Sequence, residues 1–379
     1  MERKMENQDQ AMDRRTFLKA GSALSLGAAA TFGAPSGISA QSEAKAGKKD
    51  VGEKIDIFCH VMPPKYKEVL LKKISRPSYY LDNVRGLPAL ADLDIRFKAM
   101  DKYPGYRQVL SLGVPPVELV LSPKDAADIS RTGNDEMAEL VNKYPDRFVA
   151  ALAGLPLNDV DASVREIDRT MKELKFKGAQ IYSSIDRKPL DRPEYLGIYE
   201  KLSQYDVPLF LHPVRDRDIA DYPDEKLAKY SAYIHFGWPY ETTMAMSRLV
   251  LSGIMEKYPN LKVVVHHCGA MLPFFARRAG LGVPEPGEVM NLTKPPLEYY
   301  KKFYGDTVLG GNTPALMCGY AFFGADHMVF GSDYPYPGGV ARADIAVGEV
   351  IKSVENMNIS DEEKVKIFSK NTRQLLKLS

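Results

Sequence analysis

The sequence is constrained most by an ending that recurs. The apolar run Ile55, Asp56, Ile57, Phe58 and Cys59 closes on His60, and Pro208 to Leu211 closes on His212. Lys262 to Val265 closes on the pair His266 and His267, and Met328 to Ser332 closes on Asp333. Each run is short, apolar and bounded by charge or proline, which is the pattern of a buried strand. Side chains alternate along a strand with period two, so Asp56, Phe58 and His60 share one face. Parallel strands that close into a barrel bring their C-terminal ends to one mouth, where such barrels carry their active sites. The pattern therefore predicts that His60, His212, His267 and Asp333 meet.

Further strand patterns run from Arg107 to Leu112, Phe148 to Gly154, Gly178 to Tyr182 and Lys302 to Asp306, and the run that closes on Asp333 spans His327 to Ser332, eight in all. Helical patterns lie between them, at Asp135 to Lys143, Val160 to Leu174, Pro193 to Gln204, Glu241 to Tyr258, Thr313 to Phe323 and Asp361 to Leu376. Strands mostly followed by helix imply parallel strands with right-handed crossovers, and eight such strands imply a closed (β/α)8 barrel of the α/β class. The stretch from Val61 to Tyr103 is too long for a simple connection. It is expected to be an insertion after the first strand that builds a lid or a substrate wall.

Residues 1–40 read as a leader: Arg14 and Arg15 precede a mild apolar run from Ala20 to Phe32, and Ser39-Ala40 offers a cleavage point. Paired arginines in this setting predict a twin-arginine signal and export to the periplasm, with a Sec signal or an uncleaved anchor as alternatives. The run is too short and glycine-rich to span a bilayer comfortably, so no stable membrane span is expected in the mature chain. Residues 41–53 are polar and small, a linker, and residues 54–379 form the barrel domain. With a formal net charge of +2 and interspersed signs, nothing calls for nucleic acid as a partner. The expected partner is a small-molecule substrate, and a homo-oligomer is compatible with the sequence. Cys59, Cys268 and Cys318 are an odd number for an exported chain and do not make a disulfide framework. They read as small buried hydrophobes, with a nucleophilic Cys59 or Cys268 as the alternative.

Three of the six histidines end strands. Imidazoles joined by the carboxylate of Asp333 suit Zn2+ and similar divalent ions, with a position left for water or substrate. His327 opens its strand and is expected at the far face. His266 is expected to turn away from its neighbour, toward the helices, as a structural residue. His235 lies in a long connection at the mouth, where it touches either substrate or solvent.

At this point the residues carry a resemblance. The segments Pro208 to Pro213, Trp238 to Thr243, Leu249 to Ile254, Lys257 to Lys262, His267 to Pro273 and Phe330 to Pro335 resemble, in order, the decarboxylase-type branch of the amidohydrolase superfamily. That branch contains aminocarboxymuconate semialdehyde and resorcylate-type decarboxylases. The resemblance implies metal ligation by His60, His212 and Asp333, and a proton-handling role for His267 off the metal. In that branch the first strand ends in a ligand pair, and Phe58 stands where its first member is expected. A phenyl ring donates no lone pair, so a weakened or substrate-completed metal site, or a metal-free one, is expected. Asp56 is about 13 Å along the strand from His60, too far to stand in.

The implied activity is non-oxidative decarboxylation of a small carboxylated aromatic or enol-like substrate. A metal-dependent hydrolase or hydratase of the same fold is the alternative, with Asp333 taking a proton from attacking water. A silent exported binding protein is a second alternative. Arg215, Arg217 and Arg277 are candidates to grip a carboxylate, and Tyr182, Trp238, Tyr334 and Tyr336 to line an aromatic pocket.

Overall fold

A computed structural model describes residues 52–76, 78–281, 290, 292–336 and 343–378. The expected leader and most of the linker lie outside the described residues. Among the described residues no helix is long and apolar enough to cross a membrane.

Nine parallel strands are found among the described residues: β1 (Lys54–Val61), β2 (Tyr106–Leu112), β3 (Phe148–Ala151), β4 (Ala153–Gly154), β5 (Ala179–Tyr182), β6 (Leu209–His212), β7 (Val263–Val265), β8 (Tyr304–Asp306) and β9 (Met328–Val329). They pair in sequence order, β1 to β3 and then β4 to β9. Leu152 interrupts the expected strand at 148–154, yet its amide still donates to the Leu110 carbonyl at 2.8 Å. β3 and β4 are therefore two parts of one barrel strand. The segment after β9 returns to β1: the amides of Ile57 and His60 donate to Phe330 O and Tyr334 O, and the Asp333 amide donates to Phe58 O. A parallel bridge between Cys59 and Tyr334 accompanies them.

The alternation of side chains divides the core in two. Phe58, Val109, Ala150, Phe210, Val264 and Val329 form one buried cluster contributed by six strands, the filling of the barrel itself. Most other buried apolar residues pack between strands and helices. Expected helices appear, some of them longer. The pattern at 135–143 is the end of a 21-residue helix, Pro123–Lys143, that starts at Ser122, whose hydroxyl accepts the Asp125 amide. Other helices had no clear pattern, among them Leu272–Ala279, Pro296–Tyr300 and Ala343–Glu355.

The insertion after β1 folds over the mouth as helices Pro64–Lys73 and Leu93–Met100 with shorter turns between them. Arg96, fully buried, anchors it: its guanidinium donates to His60 O at 2.5 Å and Gln108 Oε1 at 2.7 Å, and stacks over the Tyr334 ring. At the domain's edge Glu53 accepts hydrogen bonds from Arg107 and Arg373, fastening the start of β1 to the last helix.

Candidate metal centre and active site

Two residues beyond Phe58, Phe210 and Val264, on the same strand faces, stand His60, His212 and His266. The three imidazoles form a layer directly above the apolar filling, and the Phe58 ring lies under them, with its centroid 5.6, 5.9 and 4.2 Å from the rings of His60, His212 and His266. Asp333 completes the layer. One ligand atom from each of His60, His212, His266 and Asp333 falls within 4.8 Å of all the others.

The expectation that His266 turns toward the helices is corrected here. Val264 faces the barrel interior, and a period of two carries His266 inward with it. β7 ends at Val265, and the backbone leaves the strand conformation at His267, where φ is 55°. His267 is lifted out of the layer and lies beside it, its ring 4.2 Å from that of His266 and 6.3 Å from that of Trp238. His267, Cys268, Ala270 and Asp333 all have left-handed φ, which costs a non-glycine residue on the order of 1 kcal/mol or more. At Gly269, between them, an added Cβ would come within 2.8 Å of Phe323.

Each imidazole is oriented through Nδ1. That of His212 lies 2.7 Å from Pro213 O, which can only accept, so Nδ1 carries the proton. Ser111 donates its own hydrogen to Cys59 O and accepts from His60 Nδ1 at 3.0 Å. His266 Nδ1 donates at 2.5 Å to Asp306 Oδ2, and Asp306 is itself held by the amides of Cys268 and Val308. In each ring Nε2 is then the atom turned to the centre. All three Nε2 atoms, together with Asp333 Oδ1, are buried without a hydrogen-bond partner. His60 and His266 Nε2 approach Asp333 Oδ1 to 3.0 and 3.3 Å, close but not aligned as hydrogen bonds. Buried orphaned donors and acceptors are rare and costly. Three nitrogens and a carboxylate oxygen converging in this way fit a divalent cation.

The electrostatics agree with a site built for positive charge. Burial opposes the charge on Asp333, but His266 and His60 together outweigh it and hold the carboxyl well below its usual range. Burial also opposes protonation of His266, yet Asp306 and Asp333 raise it to about 10. His212 is held well below the usual histidine range by burial and by His60 and His266. Burial, then the charge of His266, pushes His267 down to about 4.

The walls are aromatic. The rings of Tyr182 and Trp238 stand edge-to-face with that of His212, at 5.5 and 5.6 Å, and Tyr336 lies 5.2 Å from His60. The insertion reaches this wall through Tyr80, whose hydroxyl donates to Arg215 O and accepts from Arg215 N and Trp238 Nε1. Tyr334 is buried under Arg96 and packs in the core. Arg215 is partly buried and paired with Glu241 at 2.8 Å. Arg217 and Arg277 are exposed, the first over the Tyr79 ring at 5.4 Å. His235 is exposed, and His327 stacks on Tyr304 at the opposite end of the strands. Cys59 and Cys268 are buried free thiols pushed up by burial and then by Asp56 and Asp306 respectively, which leaves them poor nucleophiles.

Sequence reasoning missed Asp306, although it ends a predicted strand and the same signal that singled out Asp333 applied to it. Arg96 left no signal, because its role depends on which backbone carbonyls the insertion meets.

Comparison with known proteins agrees with this geometry. Residues 55–378 match the amidohydrolase family model. The gamma-resorcylate decarboxylase of Polaromonas sp. is 30% identical over 301 residues, covering 76% of this chain and 87% of that protein. The 2-amino-3-carboxymuconate-6-semialdehyde decarboxylase of Dictyostelium discoideum is 28% identical over 274 residues, 72% of this chain and 73% of the relative. The crystal structure of 5-carboxyvanillate decarboxylase from Novosphingobium aromaticivorans, complexed with manganese and 4-hydroxy-3-methoxy-5-nitrobenzoic acid, superposes with a TM-score of 0.73. It is 27% identical and covers 86% of this chain and 96% of that one. A barrel of parallel strands, a cluster of three imidazoles and a carboxylate at its mouth, and a match that spans the domain place this chain in the amidohydrolase family.

Proposed function

We propose that the protein is a non-oxidative decarboxylase of a small carboxylated aromatic or enol-like acid. The observation that carries the reading is the convergence of four buried, unpartnered ligand atoms beside a neutral histidine and under an aromatic wall. The decarboxylases among its relatives, which act on acids of this kind by their names, support it.

His60, His212, His266 and Asp333 would hold the ion, in place of the three-ligand set implied by Phe58. When bound, a divalent cation supplies positive charge against the substrate carboxylate and an adjacent oxygen. Manganese is supported by the relative that binds it; zinc suits the same donors. Tyr182 and Trp238 stack along the substrate plane and exclude water. Arg215, its charge shared with Glu241, orients an anionic group at the rim. The reaction exchanges carbon dioxide for one proton at the same carbon. His267, neutral at pH 7, takes that proton from a substrate hydroxyl or from water and delivers it to the carbon.

The test is a screen of hydroxylated benzoates and muconate-like acids with manganese- and zinc-loaded protein, following released carbon dioxide. Release that requires metal and His267 supports the reading. Hydrolysis of an ester or amide without carbon dioxide would favour the hydrolase alternative, and binding without turnover the silent one.

Export is proposed from Arg14 and Arg15. Lysine at both positions should hold the protein in the cytoplasm, and unchanged fractionation would remove a twin-arginine route.

A further inference from the structure

Glu118 sits on the single helical turn Val117–Val120, which follows the C-terminal end of β2 at the barrel mouth. It is 1% exposed, and neither carboxyl oxygen has a hydrogen-bond partner. A buried carboxyl with both oxygens idle costs several kcal/mol unless something occupies the space beside it.

Two cavities share this side chain. One, a small cavity of about 20 Å³, is lined by Tyr66, Leu112, Ser130, Gln180 and Tyr182 together with Glu118. Ser130 Oγ and Gln180 Oε1 are also buried there without partners. The Gln180 amide nitrogen donates to Leu112 O and Tyr182 Oη, so its oxygen is the end left over. Four polar atoms, two of them on Glu118, are thus unspent in one small space. The other cavity, also of about 20 Å³, is lined by Glu118, Ser184, Arg187, Val214, Arg215 and Asp216.

Both cavities adjoin the metal centre through β6 and its neighbour. The Tyr182 ring stands edge-to-face with that of His212 and also lines the first cavity. Val214 and Arg215 follow His212 directly in the chain and line the second. Tyr182 is thus the residue common to the wall of the metal centre and the lining of the first cavity.

We propose that Glu118, with Ser130 and Gln180, forms a recognition subsite for an oxygen substituent, a hydroxyl or carbonyl, that the substrate carries away from its carboxylate. The proposal rests on the decarboxylase reading and narrows its substrates to acids with a further oxygen on the ring or enol. Burial raises Glu118 to about 8, with the charge of Asp186 adding to the effect, so the group is mainly a neutral acid at pH 7. A neutral carboxyl both donates and accepts, which matches a hydroxyl and also matches a carbonyl. A site with buried polar groups left unpaired discriminates strongly against an analogue that lacks the matching group.

The experiment uses Trp238, the single tryptophan of the chain, whose ring lies 5.6 Å from that of His212. Manganese-loaded protein is titrated, following its fluorescence, with salicylate and with the salicylates that carry one further ring hydroxyl. At least one hydroxylated probe is expected to bind about tenfold more tightly than salicylate, the worth of one good hydrogen bond. Glu118→Leu should remove that advantage and leave salicylate affinity and manganese content within about twofold. Glu118→Gln, which keeps the shape and a donor, should retain part of it, and it carries the test if the leucine variant does not fold. The proposal is overturned if no hydroxylated probe gains over salicylate, if the gain survives Glu118→Leu, or if both probes weaken equally. If salicylate itself fails to bind the wild type, the carboxylate reading falls, and this subsite with it.

Discussion

His266 and Phe58 lie ring against ring, their centroids 4.2 Å apart at an interplanar angle of 35°. The Phe58 ring on β1, which offers no lone pair, thus packs under a histidine just past the end of β7 that brings one. Of the four ligand atoms in the cluster, the first strand supplies that of His60.

If His266 is a ligand, its orientation by Asp306 contributes to the affinity as well as the ring itself. Asp306→Asn should lower manganese or zinc affinity by about 10- to 100-fold, the usual cost of losing a carboxylate that orients a ligating histidine. His266→Ala should lower it further. Metal analysis after equilibrium dialysis measures both, and unchanged affinity in both variants would leave His266 as a structural residue.

Phe58 itself is a packing residue in this arrangement. Phe58→Ala opens a cavity in the barrel filling and should cost about 3–5 kcal/mol in urea denaturation. The folded variant should still take up metal. Loss of stability below 1 kcal/mol would mean that the layer under the imidazoles is not close-packed.

His267 stands beside the donor layer and not in it. Replacing it by alanine should cut turnover by 10²-fold or more, within the range for a lost acid–base group, with metal content unchanged. A fall in metal content alongside activity would instead make His267 a ligand.

The buried acid gives a pH signature. Glu118 titrates near 8 in the folded protein against an ordinary 4.5, so between those values the folded state holds a proton that the unfolded state has lost. Stability should therefore fall as pH rises from about 4.5 to 8, by at most about 1.4 kcal/mol per pH unit from this group. Glu118→Gln should flatten that slope, measured as denaturation midpoints from pH 5 to 8. Parallel slopes for the two proteins would show that Glu118 is ionised when folded.

The strands, their order and their polar ends were legible because periodicity is local: a run of apolar residues ending in His212 or Asp333 carries its meaning within six residues. His60, His212 and Asp333 followed from that alone. The choice between His266 and His267 was not legible, since it depends on the residue at which β7 stops and the backbone turns left-handed, one position that reverses which side chain faces inward. The motif drew attention to His267, while strand parity with Val264 favoured His266.

The sequence by itself determined an α/β chain of parallel strands whose C-terminal ends bear imidazoles and carboxylates, because hydrophobic alternation and strand ends are written along the chain. Only the tertiary structure decided that His266 joins the donors, that Asp306 and Ser111 orient them, that Arg96 locks the insertion to His60, and that Glu118 is buried with nothing to bond. These are relations between segments tens to hundreds of residues apart. Burial and hydrogen-bond partnership exist only once the barrel has brought those segments together.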